Sequence, residues 1–421
     1  MLKPKTKEKK NSGTVAALIL RRCDELAAVT DEPGFTTRTF GSPAMKVANS
    51  LVAGWMSDAG MKVGVDAIGN LIGHYGAVDS KSPIFLIGSH LDTVKHAGKY
   101  DGPLGVLLGI SCVQRIHEMK LQLPFAIRVA GFADEEGVRY HTTYLGSKAV
   151  AGVFDFKDLK RTDEMGVHLS QAILDFGGDP KQIQSCAIES SRLVGYLEAH
   201  IEQGPVLESK DVSVGVVSSI SGQSRISVSF MGMAGHAGTT PMTLRKDALC
   251  AAAEFILTVV NYARKIKRMV ATTGFIQALP GASNVIPGQV QLCVDVRHES
   301  DRVRQIAVTK LSAELNRILR KRKLKGSFRL VQETATAPCS SELTKLLLSC
   351  TKGYQKKVPI LSSGAGHDAA ILSRITPAAM LFIRCKKGIS HHPDESVRKV
   401  DVQLALDVMN SFIQSLAPKY A

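Results

Sequence analysis

The feature that most constrains this chain is a habit repeated along it: short apolar runs of strand length that end in metal-type side chains. PIFLIGSH (83–90) ends in a histidine, FAIRVAGFADEE (125–136) in acids, and LVGYLEAHIEQG (193–204) in a histidine and more acids. Uninterrupted apolar runs of this length suit strands buried on both faces, as in a parallel sheet. In open α/β sheets ligands bind beyond the carboxyl ends of the strands, so side chains far apart in sequence can converge there. PLGVLLGISCVQRIHEM (103–119) reads as a helix after the first run. Residues 13–30 and 43–60 read as amphipathic helices, and VGVDAIGNLIGHY (63–75) as a hairpin of short strands with glycine turns.

The texture changes near residue 211. VSVGVVSSI and RISVSFMGM alternate or run β-branched; a helix follows over Thr243–Lys265, then ATTGFIQAL, VQLCVDVRH, a helix over 301–323 and GSFRLVQET. This β-β-α-β-β-α-β order reads as a compact α+β unit rather than further βαβ repeats. The last stretch, with PILSSGAGHDAAIL and AMLFIRCKKGISHHPDE, returns to the strand-then-polar-loop habit. The expected fold is therefore α/β. One domain, built from 1–210 and 332–421, carries a mixed, mostly parallel sheet flanked by helices. A smaller ferredoxin-like α+β domain is inserted at 211–331, and residues 1–12 form a disordered basic tail.

Bulk properties narrow the function. The net charge of +15 invites a nucleic-acid reading. Much of the excess lies in Lys3, Lys5, Lys7, Lys9 and Lys10 and in Arg320 to Lys325, which follows Leu311, Leu315, Ile318 and Leu319 at helical spacing. With no aromatic-interleaved basic motif, these read as a tail and the solvated end of an amphipathic helix, and no nucleic-acid partner is expected. A basic surface can still draw in an anionic substrate. No run of about 18 apolar residues appears, and the basic start is not followed by a signal-peptide core, so no membrane association and a cytoplasmic location are expected. The eight cysteines are scattered without a C-x-x-C pair, which suits thiols in a reducing compartment.

Four of the twelve histidines, His90, His200, His367 and His391, stand beside acids in strand-end loops. In GSHLDTV, Asp92 points the same way as His90 on an extended segment and can accept the other ring N–H. Asp101 is a short carboxylate able to bridge two cations. Glu135 and Glu136 diverge at a strand end, so one can hold a metal while the other handles protons. GISHHPDE adds His391 and His392. Any one of these alone is more often structural, but five separate loops of the right type are harder to dismiss. A His/Asp/Glu set without cysteine suits Zn²⁺, Mn²⁺ or Co²⁺ in a hydrolytic site. Two metals about 3.5 Å apart can activate a water and polarise a carbonyl, and a nearby glutamate can shuttle the proton. Gly364, Gly366 and Ala369 fit a G-x-G-x-x-A fingerprint. With no βαβ unit and acid following, and with His367–Asp368 inside it, this segment reads as a pocket-lining loop.

GSHLDTVKHAGKYDGPLGV, ADEEGVRYHTTYLGS, LEAHIEQGPVLE, AGHAGTTPM, SNVIPGQV, SGAGHDA and GISHHPDE fall in one order over residues 20 to 418. Together they resemble the allantoate amidohydrolase and N-carbamoyl-amino-acid hydrolase branch of the dinuclear metallopeptidase-like (zinc peptidase) family. The resemblance implies two divalent metal ions, Mn or Zn with Co possible. His90 and His200 would hold one ion, Glu136 and His391 the other, with Asp101 bridging. His392 occupies the motif's variable position. Glu135 matches the general base and Asp92 the residue that orients a ligand. The inserted domain resembles a lid and dimerisation domain. His236 matches a histidine that reaches the partner subunit's site in a homodimer and holds a developing oxyanion. Gln203, Arg225, Asn284 and Arg297 match substrate contacts, with a guanidinium fork for a carboxylate; Gly366 and His367 belong to the same expected substrate site.

The segments GASNVIPGQV, LFIRCKKGISH and SISGQSR look closest to the allantoate-type members. The expectation is hydrolysis of one ureido group of allantoate, releasing ammonia and carbon dioxide and giving ureidoglycine or ureidoglycolate. The alternatives are an N-carbamoyl-L-amino-acid hydrolase or β-ureidopropionase and, in another class, an inactive basic binding protein. An aminopeptidase or deacylase is opposed by the HIEQG motif and by histidine at 200.

Overall fold

The computed structural model describes residues 12–76 and 82–420; residues 1–11, most of the expected basic tail, lie outside the described residues. The chain forms two compact units, one running up to Ser218 and resuming at Cys339, the other Ser219–Pro338.

The first unit opens with helices α1 Ser12–Ala27 and α2 Pro43–Asp58. Ser42 caps α2 by accepting the Met45 N–H at 3.1 Å, and Pro43 suits the first turn because its missing N–H has no intrahelical partner. The hairpin follows as β1 Lys62–Val65 and β2 Leu71–Tyr75, then β3 Ile84–His90, α3 Pro103–Glu118 and β4 Ala126–Phe132. After α4 Leu145–Val150 and α5 Leu169–Phe176 come β5 Leu193–Ile201, α6 Val206–Ser209 and β6 Val214–Ile220. After the short strand β13 Ala337–Pro338, which ends the other unit, the chain returns through α9 Ser341–Lys352, β14 Ile360–Ser363, α10 Ala369–Leu372, β15 Ala378–Ile383 and α11 Lys399–Leu416.

The main sheet runs β1-β2-β4-β3-β5-β15-β6, with β14 also on β6. The neighbours β4, β3, β5 and β15 are mutually parallel, whereas the flanking pairs β1–β2, β2–β4 and β15–β6 are antiparallel. Every residue of β3, β5 and β15 is buried, which is why their sequences read as continuous apolar runs. One face, through Phe85, Ile87, Ile127 and Val129, packs on α3 and α11, which α1 contacts in turn. Each such buried side chain contributes about 1.5–3 kcal/mol.

The second unit is built on β7 Gly222–Met231, α7 Ala248–Arg264, β9 Val270–Leu279, β11 Gln289–His298, α8 Asp301–Arg322 and β12 Lys325–Thr334. Its antiparallel sheet has the order β12-β7-β11-β9, the ferredoxin-like arrangement. Alternation is clean: Ile226, Val228, Phe230, Val290, Leu292, Val294 and Val296 are buried with residues of α7 and α8, while the odd-numbered positions of β7 and β11 are not. Two-residue strands β8 Gly235–His236 and β10 Val285–Ile286 form a separate ribbon.

One strand departs from the expected partition. VSVGVVSSI, read as the first strand of the inserted unit, is β6, and it pairs antiparallel with β15 of the main sheet. Only Ser218 of β6 is not fully buried. Its β-branched composition fits either a one-sided or a two-sided sheet, so tertiary packing decided where it went.

Candidate metal centre

The parallel strands β4, β3, β5 and β15 all point their carboxyl ends to one edge, and the polar groups that follow them meet there. His90 closes β3, Asp134-Glu135-Glu136 follows β4, His200 is the penultimate residue of β5, and the loop after β15 carries His391. Asp101 sits just ahead of α3. Gly102 between them adopts φ +84°, and a Cβ there would stand 2.5 Å from the His90 ring, so only glycine lets the backbone pass.

Asp101 is the hub. Its Oδ1 lies 3.0 Å from His200 Nε2 and 3.8 Å from His90 Nε2; its Oδ2 lies 3.0 Å from His391 Nε2, which is 3.3 Å from Glu136. Two groups of side chains able to hold a cation therefore share one carboxylate: His90–Asp101–His200 and Asp101–Glu136–His391. His392 stands outside both, exposed and 3.7 Å from Asp394.

The donor chemistry fits cations. His90 Nδ1 donates to the Asp92 carbonyl at 3.0 Å and His200 Nδ1 to the Ile201 carbonyl at 2.9 Å. That tautomer leaves both Nε2 atoms as lone pairs facing the Asp101 carboxylate. Asp101 Oδ1 and His200 Nε2 are buried with no hydrogen-bond partner. Two lone pairs turned on each other across 3.0 Å repel unless a proton or a metal ion lies near both. Without an ion the imidazoles take up protons: Asp101 first, then Glu136, lifts His391 to about 10. Burial works against a charge on His90, but Asp101 and Asp92 outweigh it and raise its pKa well above the usual histidine value.

Glu135 is 7% exposed. Burial raises its carboxyl well above the ordinary value; His90 opposes this, and Glu136, Asp368 and Asp92 add to it. A buried carboxyl whose charged form is disfavoured in this way is suited to taking up and passing on a proton. The expected role of Asp92 needs adjusting. Its carboxylate is 3.6 Å from His90 Nδ1, and it is the Asp92 carbonyl that takes the imidazole proton. The carboxylate instead accepts the backbone N–H groups of Glu135 and Glu136, both at 3.1 Å, and so holds the acidic turn.

A cavity of about 130 Å³ opens on these ligands, lined also by Gln203, Gly366 and Tyr144. Gln203 Nε2 donates to Asp101 Oδ2 at 2.9 Å and to Ser390 at 3.2 Å, so it touches the ligand carboxylate directly. His367 does not line this cavity. It is 2% exposed, with Nε2 2.8 Å from Ser363 and its ring 4.5 Å from that of His200. Burial first, then His200, lowers its pKa well below the usual value and keeps it neutral. Its ring packs between those of His200 and Phe382.

Two residues were not singled out from the sequence. Glu395 accepts the N–H groups of Tyr100 (2.7 Å) and Asp101 (3.1 Å) and the Ser390 hydroxyl (3.2 Å), tying the Asp101 turn to the His391 loop. Its presence in GISHHPDE was the available signal. Tyr144 lies so close over Gly366 that a Cβ there would stand 1.8 Å from its hydroxyl. Asp134, Tyr144, Gln203 and His391 all have positive φ, a strain that clusters at functional sites.

The remaining expected residues lie in the second unit. On the open face of its sheet, Asp295 accepts from Arg297 Nε at 2.8 Å, lies 3.8 Å from Arg225 and is hydrogen-bonded by Gln223. Arg225 also donates to Gln332 at 3.0 Å. His236 is exposed on β8, its Nδ1 accepting the Gly238 N–H at 3.0 Å, which leaves the proton on Nε2. The exposed Asn284 adjoins this loop, its carbonyl accepting the Ala237 N–H at 2.9 Å.

The sequence matches peptidase family M20/M25/M40 over residues 86–415. Allantoate deiminase 1 of Glycine max is 38% identical, the match covering 94% of this chain and 88% of that protein. N-carbamoyl-L-amino acid amidohydrolase of Geobacillus stearothermophilus is 35% identical over 94% of this chain and 97% of its own. A hydantoinase/carbamoylase family amidase from Burkholderia ambifaria superposes with a TM-score of 0.89 at 30% identity, covering 96% and 97% of the two chains.

Proposed function

We propose, from the premise that this chain belongs to peptidase family M20/M25/M40, that it hydrolyses one ureido group of allantoate. The chain is a metal-dependent hydrolase of non-peptide C–N bonds in small ureido acids. The carrying observation is the pair of ligand sets that share Asp101, with a buried carboxyl, Glu135, on the same cavity.

In this reading His90 and His200 would hold one divalent ion and Glu136 and His391 the other, with Asp101 shared by both sets. Divalent ions held there would supply a nucleophilic water and polarise the ureido carbonyl. Glu135, on the same cavity, takes a proton from the attacking water and delivers it to the leaving nitrogen. Asp92 keeps Glu135 and Glu136 in register through their N–H groups. One water is consumed as the ureido C–N bond breaks to give ureidoglycine, carbon dioxide and ammonia; a second water, replacing the amine of ureidoglycine, gives ureidoglycolate and a second ammonia. Arg297 clamps the substrate carboxylate as a fork. Arg225, Asn284 and Gln203 read the ureido amides, and the loop with Gly366 and His367 closes the pocket. His236 donates its Nε2 proton to the oxyanion in the partner subunit of a homodimer. Apolar side chains left outward on the edge strands β9 and β12, Phe275 at 50%, Ile276 at 47% and Val331 at 47% exposure, support a partner copy there. Eight free thiols support a reducing, cytoplasmic location.

Similarity at 38% to an allantoate deiminase favours allantoate, and 35% to a carbamoyl-amino-acid amidohydrolase keeps N-carbamoyl-L-amino acids as the second reading. The test is steady-state turnover of allantoate beside a panel of N-carbamoyl amino acids, with Mn²⁺, Zn²⁺ and Co²⁺ restored in turn. Allantoate should give the highest kcat/KM; turnover of carbamoyl amino acids alone would replace it by the second reading. A full-activity monomer would remove the dimer.

A further inference from the structure

The main sheet of the first unit carries a second cavity, of about 210 Å³, whose walls share no residue with the metal centre. It lies on the face turned away from α1 and α3. Strand register builds it: Arg128 of β4 is flanked by His74 of β2 and Leu86 of β3, and Ala130 follows two residues on. Their odd-numbered neighbours Phe85, Ile87, Ile127 and Val129 point into the main core, so Leu86, Arg128 and Ala130 point the other way. Phe132, Val150 and Cys186 complete an apolar floor, and the exposed Val65 and Ser185 stand at the mouth.

The one Lys or Arg among the lining residues is Arg128. Among the described residues no carboxylate pairs with it; its Nε donates to His74 Nδ1 at 3.0 Å. Nδ1 is thus an acceptor, and the imidazole is neutral with its proton on Nε2. Burial, with Arg128, Lys62 and Arg192 adding positive charge, lowers His74 to about 4, so the ring does not compete for an anion by charging itself. Asp66, the acid on the rim, is saturated by the N–H groups of Ile68, Gly69 and Asn70 and by the Asn70 side-chain amide at 2.8 Å. A guanidinium held over an apolar floor by a neutral histidine leaves its other N–H donors for an outside acceptor.

We propose that this cavity binds a small monocarboxylate with an apolar body, the carboxylate on Arg128 and the body on Leu86, Ala130 and Phe132. Size and charge select the class. Drug-sized sites run about 300–1,000 Å³, so 210 Å³ takes a ligand of one small ring or branched chain. One guanidinium matches one negative charge; a phosphate dianion over an apolar floor would keep an uncompensated charge.

The probe is 4-fluorobenzoate, followed by fluorine NMR line broadening on the full-length, metal-loaded protein, with 4-fluorobenzamide as the neutral isostere and inorganic phosphate as competitor. Benzoate should bind, the benzamide at least about tenfold more weakly, and phosphate should not displace it. Arg128→Gln, and separately Ser185→Trp at the mouth, should weaken benzoate at least about tenfold while ureido-acid turnover stays within about twofold, which also shows that both variants fold. No benzoate binding, equal benzamide binding, displacement by phosphate, or binding that survives both variants overturns the site. So does a fall of turnover in step with binding, since the probe would then be reading the metal centre. A parent that turns over no ureido acid sinks the proposed function instead, leaving the binding arms readable with thermal melting as the folding control.

Discussion

The two units use their sheets in opposite ways. In the first, β3, β5 and β15 are buried along their whole length, so a polar side chain can find room only where a strand ends. His90, His200 and the loops with Glu135, Glu136 and His391 occupy those ends, and several of their polar atoms face one another without protein donors. In the second, one face of β7 and β11 is open, and the polar groups lie along the strands. There Asp295 already gathers Arg225, Arg297 and Gln223. A two-sided sheet concentrates unmet demand at one edge, where an ion can satisfy it. A one-sided sheet lets charges satisfy each other across strands and holds them as a poised, replaceable network.

The sharpest way to break this contrast is Asp101→Ala. It removes the carboxylate common to both ligand sets, so bound metal by elemental analysis should fall and turnover should drop at least roughly 1,000-fold. Metal content equal to the parent would dissolve the picture of a shared hub. Next comes Glu135→Ala, which should keep both ions yet lose roughly 100- to 10,000-fold in kcat, the range of a general acid–base group. Loss of metal along with activity would make Glu135 a ligand instead. In the second unit, Arg297→Ala should raise KM roughly 10- to 100-fold with kcat much less affected, because a charge-assisted fork is worth about 1.5–3 kcal/mol of binding. A fall in kcat alone would move Arg297 from binding to the chemical step.

The smallest effect concerns acid stability. His74, held at about 4 by burial first, then Arg128, stays neutral in the folded chain while an unfolded histidine titrates near 6.5. Between those values the unfolded chain binds a proton that the folded one refuses, so stability is present above about 6.5 and is lost as pH falls toward about 4. His74→Gln should flatten that part of the pH–melting curve by no more than a few degrees. A parent curve already flat there would remove the histidine's part.

Much of this was legible in the residues. Continuous apolar runs announce a sheet buried on both faces, and the strict alternation in RISVSFMGM and VQLCVDVRH announces one buried on a single face. The gathering of His, Asp and Glu at the strand ends was equally plain, because three of the apolar runs in the sequence end in them. Where environments look alike in sequence, reading failed. β6 could join either sheet, since a β-branched strand carries no mark of what covers its second face. His367 resembles its neighbour histidines in every local respect, and only packing turns it behind His200. That the Asp92 carbonyl rather than its carboxylate holds His90 depends on a few tenths of an ångström at the end of β3.

Local pattern thus determined the strands, the two sheet types and the supply of ligands, because period and side-chain chemistry are properties of neighbours in the chain. Tertiary structure alone decided which groups share Asp101, which histidine stays out of the cavity, and that Arg128 meets His74 across β2 and β4. Those are contacts between residues tens to hundreds of positions apart, and register and packing, not adjacency, set them.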